Sequence, residues 1–351
     1  MKKYVTICKV AITLIIVVIA ILCISYNYGI SPVSKNDKNV EIVIENNSTY
    51  LTISKLLKEN NLIKSETFYK VYIKIFKPNN LQAGTYILNE NMGVKKIVEK
   101  LESNEATIDT IQITIPEGKN ITDVATIISN STNYTKEELL NYWQDNKLID
   151  SLIQKYWFIK DDVKDDKIRY ALEGYFFPDT YLIATSSTKE EITYKMLDRM
   201  DEILSKYKDK INNSEYTIHE ILTLASIVEH EAILDIDRPK IARVFLNRLD
   251  IDMMLQSCAT IGYAIGEWKL TYTSKDLQTP SPYNTYMNYG LPIGPGDMPG
   301  EASIVAVLNP DDNDYLYFLA NVYSETDNNT YYSSSYKEHQ NKCIQYLGKT
   351  C

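Results

Sequence analysis

The sequence predicts an α+β protein carried on one N-terminal membrane-spanning helix, and three observations lead there. Residues 10–30 run for 21 positions without a charge, about the ~20 residues that cross a bilayer as a helix. After them, short stretches of alternating apolar residues are followed by stretches with helical spacing. The second half is mainly helical in pattern, interrupted by a Gly/Pro-rich segment at 279–300.

With 351 residues, 44% of them hydrophobic and 24% charged, the chain has enough apolar material for two lobes. A net charge of -9 excludes a nucleic-acid surface as the main function. The 28 tyrosines suit stacking on sugars, although the chain is also rich in Ile, Asn and Lys.

Lys2, Lys3 and Lys9 precede the apolar run, and Tyr26 and Tyr28 sit at its far end. Inward lysines and interfacial tyrosines predict a cytoplasmic tail (1–9), an anchor (10–30) and an extracytoplasmic body. No A-x-A cleavage site follows, which favours a retained anchor over a signal peptide. A polar juxtamembrane linker covers 31–38. The five cysteines make no framework: a Cys343–Cys351 bridge and free thiols are both open.

Val40, Ile42 and Ile44 alternate, and Ile53, Leu56 and Leu57 then follow helical spacing. Ile111, Ile113 and Ile115, followed by Ile121, Val124 and Ile127-Ile128, repeat that plan. Between them come a strand around Tyr86–Leu88 and a helix at 93–101. A charged helical stretch fills 135–167. Helices follow at 189–207, 217–234, 238–249, 301–308 and 336–347, with a strand at 315–320. These place a strand-helix region at 39–165 and a second lobe at 166–351.

The chemistry centres on Leu224–Ala232, "LASIVEHEA". His230-Glu231 begins an H-E-x-x-H, but Leu234 stands where the second histidine is required. His219 and His230 lie eleven residues apart, roughly 16 Å along a helix at ~1.5 Å per residue, too far to share zinc. No metal or cofactor is expected. Thr217-Ile218-His219-Glu220 is a capping box, so a helix starts there. On its wheel Glu229 falls within about 60° of Ile218, Leu222, Ala225 and Ala232, while Glu231 lies about 160° away. A carboxyl in apolar surroundings stays protonated, as protonating a glycosidic oxygen demands. The alternative is a glutamate held by an arginine such as Arg238, Arg243 or Arg248.

"LASIVEHEA", "ARVFLNRLDIDMMLQS", "TPSPYNTYMNYGLPIGPGDMPGEASIVAVLNP" and "LEGYFFPDTY" together resemble the endolytic murein transglycosylases of the YceG/MltG-like family, from about Val40 to Leu347. The resemblance implies a single-pass cell-membrane protein with a LysM-like N-terminal region and an α+β catalytic lobe. It implies cleavage of nascent peptidoglycan strands to 1,6-anhydro-MurNAc ends, terminating elongation, beside polymerases and division machinery. It places the catalytic glutamate at Glu229. Gln256, Tyr283, Asn284 and Tyr286 are candidates to bind sugar, and Glu173 and Asp179 to shape the cleft or cap a turn. The family usually reads L-Q-x-D-P-T; here Cys258 and Ala259 replace the Asp and Pro. An H-x-F is also replaced, by Thr330 and Tyr332. A hydrolase using Glu231, Asp235 or Asp237 and a wall-binding scaffold without catalysis are the competing readings.

Overall fold

The computed structural model describes residues 2–35, 38–45, 48–78, 81–103, 110–269, 271–320 and 329–350. It divides into two compact units, 1–112 with 182–187, and 113–181 with 188–351.

The first unit opens with α1 (Lys2–Ile30), whose stretch Thr13–Ile30 is long and apolar enough to cross a membrane, with a mean hydropathy of 2.2. Next come β1 (Asn39–Ile44), α2 (Tyr50–Glu59), α3 (Glu66–Phe76), β2 (Gly84–Asn89) and α4 (Val94–Glu102). β1 and β2 pair antiparallel, Ile42 opposite Tyr86. The alternation in β1 turns Ile42 and Ile44 inward onto Leu57, Tyr69, Ile97 and Leu101. Thr49 and Ser65 cap α2 and α3 through their side-chain oxygens. The repeated strand-helix plan is not a repeated pairing: β1 joins β2, and β3 (Thr110–Thr114) joins β4 (Thr180–Ala184).

In the second unit α5 (Ile121–Ser129), α6 (Lys136–Trp143) and α7 (Asn146–Lys155) precede α8 (Lys189–Ser205) and α9 (Lys208–Asn212). Asp145 caps Lys147 and Leu148 N–H groups and so splits the helical stretch expected at 135–167. These helices belong here rather than with the first unit. Trp143 Nε1 donates to Thr193 Oγ1 at 2.8 Å, and the Ile121 N–H donates to Glu173 at 2.8 Å.

α10 (Ile218–Glu231) packs against α11 (Arg238–Asp250) and α14 (Glu301–Leu308). The Thr217 capping box is formed in both directions. Every residue from Ile218 to Val228 except Glu220 is buried, and each large apolar side chain among them contributes about 1.5–3 kcal/mol. α10 ends at Glu231, three residues before its expected end, because the chain must reverse at once to pack α11 beside it. α12 (Cys258–Ile265) and α13 (Ser274–Leu277) lead to the Gly/Pro-rich segment. β5 (Tyr317–Ala320) and β6 (Thr330–Ser333) form an antiparallel pair before α15 (Tyr336–Leu347). Cys343 on α15 is disulfide-bonded; Cys351 lies outside the described residues, as does Met1.

Candidate active site

The last turn of α10 sends three consecutive side chains to three different places. Glu229 Oε1 is ion-paired to Arg238 Nη1 at 3.0 Å, and its Oε2 accepts the Gly300 N–H at 2.9 Å. Arg238 also donates to Asp235 at 2.9 Å and to Ser303 Oγ at 2.6 Å. One carboxylate thereby ties α10 to the starts of α11 and α14. Glu117, in the turn Pro116-Glu117-Gly118-Lys119, joins this cluster. A Cβ on Gly300 would meet the Glu117 carboxylate, so a larger residue there would have to displace that side chain. Burial, and next the charge of Glu229, push the Glu117 carboxyl above the usual range.

His230 Nε2 meets Asp297 Oδ2 at 3.0 Å, and its ring stacks on Trp268 with centroids 4.0 Å apart. Burial drives Asp297 up to about 6 despite this partner. Burial alone would lower His230; the hydrogen bond and charge of Asp297 outweigh it and raise the imidazole.

Glu231 turns the other way. It accepts Ser257 Oγ–H at 2.6 Å on the wall of a cavity of about 360 Å³. Burial raises its carboxyl, against the opposing pulls of Ser257, His230 and Arg248. Ser257 is held in turn: its N–H donates to Thr285 Oγ1 at 3.0 Å, and its C=O accepts from Thr260 Oγ1 at 2.7 Å. Arg248 donates to Leu316 O at 2.7 Å and Leu255 O at 2.5 Å, which fixes it as part of the wall. Among the described residues lining the cavity, Glu231 is the one carboxyl group.

The chain matches the model of the YceG-like family over residues 42–345. It is 37% identical over 329 residues to an endolytic murein transglycosylase of Bacillus subtilis, covering 92% of this chain and 90% of that protein. An endolytic murein transglycosylase of Streptococcus pneumoniae is 34% identical over 335 residues; the match covers 90% of this chain and 60% of the longer relative. A crystal structure of a yceG-like protein from Listeria monocytogenes superposes with a TM-score of 0.63 at 36% identity, covering 87% of this chain and 98% of that one. The chain belongs to the YceG-like family.

Of the residues singled out from sequence, the structure brings Gln256 and Tyr286 to the cavity of Glu231. Gln256 takes φ +48, a left-handed conformation that costs a non-glycine residue about 1–3 kcal/mol and recurs at functional sites. Asn284 is fully buried: it donates to Leu277 O and Thr279 O and accepts the Tyr286 N–H at 2.8 Å. It shapes the loop that carries Tyr286. Tyr283 accepts the Arg169 N–H at 3.0 Å and packs edge-on against Tyr263. Glu173 is buried on Ile121 N and Tyr263 OH, and Asp179 pairs with Arg199 at 2.8 Å; neither lines the cavity.

Glu229 is not in the apolar surroundings expected from the wheel. Because α10 is buried over most of its surface from Ile218 to Val228, a face angle does not distinguish a carboxyl in an apolar pocket from one paired with Arg238. Glu117 escaped the sequence reading altogether. Its only signal is a P-E-G-K turn in which Gly118 has φ +71. The family departures also have partners. Thr330 and Tyr332 hydroxyls both donate to Asp237, at 2.9 and 2.8 Å. Cys258 Sγ lies 3.3 Å from Tyr286 OH on the cavity wall.

That placement yields a prediction. An Asp at 258 would stand at the first position of α12, favourable for a negative charge, and would accept from Tyr286. Cys258→Asp should therefore turn over glycan at least as fast as the parent. A loss beyond about tenfold in a folded protein would mean that the site depends on the thiol.

Proposed function

We propose that this protein is an endolytic murein transglycosylase whose acid–base group is Glu231, in place of the Glu229 suggested by the motif. The observation that carries the reading is a single buried carboxyl on an otherwise uncharged and cationic cavity wall. Hydrolytic glycosidases, retaining or inverting, use a pair of carboxyl groups. A site with one suits a nucleophile supplied by the substrate itself. Glu231, whose carboxyl burial raises so that its acid form is favoured, gives its proton to the oxygen leaving MurNAc C1. As carboxylate it then takes the proton of the same sugar's C6 hydroxyl, which closes the 1,6-anhydro ring. The intramolecular hydroxyl replaces water and brings the advantage of proximity. Ser257, anchored by Thr260 and Thr285, keeps the carboxyl aimed through both steps. Asp235 pairs with Arg238 and Asp237 with Thr330 and Tyr332, so neither water-activating alternative reaches the cavity.

Mass analysis of glycan ends after incubation with the purified protein tests this reading. Anhydro ends weigh one water less than reducing ends. Products bearing only reducing ends would establish a hydrolase, and binding without release would establish a scaffold.

The N-terminal unit is proposed as LysM-like, on the β-α-α-β order of β1, α2, α3 and β2 around one antiparallel pair. With α1 as anchor, the body faces the wall, and partners are nascent glycan strands and the machinery that makes them. The topology predicts that, in a protein cleared of native cysteines, an impermeant thiol reagent on intact cells misses a cysteine at position 3. The same reagent should reach one at position 60. The reverse pattern would remove the wall substrate from consideration.

A further inference from the structure

The cavity has a second wall that the acid–base steps leave unused. Tyr317 of β5 and Tyr336 in the first turn of α15 line it, with ring centroids 5.8 Å apart and planes at 47°. His339, one turn further along α15, stacks on Tyr317 at 5.3 Å and 22°. The Arg248 guanidinium lies 5.4 Å from the Tyr317 centroid, a cation–π contact that steadies that ring. Tyr336 is 51% exposed, although it lines a cavity. Among the described residues neither hydroxyl makes a hydrogen bond, whereas Tyr286 and Tyr332 are bonded through theirs. Packing therefore holds the two rings while their hydroxyls serve no bond among the described residues.

This wall carries no net charge of its own. Burial, with Arg248 and Lys342 nearby, lowers the His339 pKa and so favours the neutral imidazole. The cavity's cation, Arg248, is tied to two backbone carbonyls rather than left free for an anion. The exposed Tyr336 ring, beside a Tyr317 ring steadied by Arg248, suits the C–H face of a pyranose ring. It suits a phosphate or a peptide carboxylate poorly.

We propose that Tyr317 and Tyr336 form a pyranose-stacking subsite that holds a sugar of the glycan strand beside Glu231. The subsite rests on the reading that glycan is cut at Glu231, and it makes the saccharide backbone, not the peptide stem, the element recognised here. Tyr336 is the residue to test because its exposure lets it change without loss of the fold.

Binding of uncross-linked glycan strands is measured with the full-length protein in a Glu231→Gln background, so that cleavage does not intervene. Adding Tyr336→Ala should weaken binding by about tenfold or more, while Tyr336→Phe should stay within about twofold, because the ring and not the hydroxyl does the holding. In the active protein Tyr336→Ala should raise KM with kcat little changed. Unaltered binding by Tyr336→Ala, or loss by Tyr336→Phe equal to that by Ala, would overturn the subsite. The functional reading fails separately, if Glu231→Gln still releases anhydro ends.

Discussion

Glu231→Gln should give a folded protein that binds glycan strands and releases almost no anhydro ends. Gln keeps the acceptor for Ser257 Oγ–H but has no proton to give at neutral pH. General acid–base groups contribute about 10² to 10⁴ in rate, and here one group serves both steps. The fold should not suffer, because the amide removes an ionisable group from a buried position. The pH dependence follows from burial, which raises the Glu231 carboxyl. In the parent the acid form persists to higher pH than in an unfolded chain, and cleavage falls as pH climbs through that raised value. Stability has the same sign. Between the unfolded and folded pKa values the folded state binds more protons, so this residue's contribution declines with rising pH and is absent in the Gln variant. Retention of cleavage within about tenfold of the parent would show that Glu231 is not the acid.

Much of the frame could be read from residue pattern alone. The helices at 301–308 and 336–347 coincide with α14 and α15: α15 starts at Ser335, whose side chain accepts the Glu338 N–H, and α14 buries Ser303, Ile304, Ala306 and Val307. The capping box at Thr217 has the same origin. What failed to show were α3 and two short elements, α12 and β6. The choice between Glu229 and Glu231 was also illegible, for a physical reason. Two carboxylates separated by one histidine point to opposite sides of a helix that is largely buried, and only the partners waiting on each side distinguish them. Arg238 and the Gly300 N–H come from beyond the helix, and so does Ser257. Glu117 lies more than a hundred residues upstream of the cluster it completes, and no local pattern links them.

Arg238→Met should destabilise the protein strongly, and adding Glu229→Gln should restore much of the loss. The Glu229 and Arg238 side chains are 7% and 10% exposed. Without the guanidinium, the Glu229 carboxylate keeps only the Gly300 N–H and faces Glu117, whose carboxyl its charge already perturbs. Breaking a buried pair from one side typically costs about 3–5 kcal/mol, because an uncompensated charge is left behind. At roughly 2–4 °C per kcal/mol for a unit of this size, Tm should fall by about 10 °C. Glu229→Gln alone should cost less, about 1–3 kcal/mol, since Arg238 retains Asp235 and Ser303. In the double variant no charge is stranded, so the losses should be markedly less than additive in a double-mutant cycle. Cleavage measured well below Tm separates this role from catalysis. Glu229 acts by fixing the turn that presents Glu231, so Glu229→Gln should lower turnover together with Tm and leave anhydro ends as the product. A Glu229→Gln protein with an unchanged Tm, intact glycan binding and no turnover would instead give the acid role to Glu229.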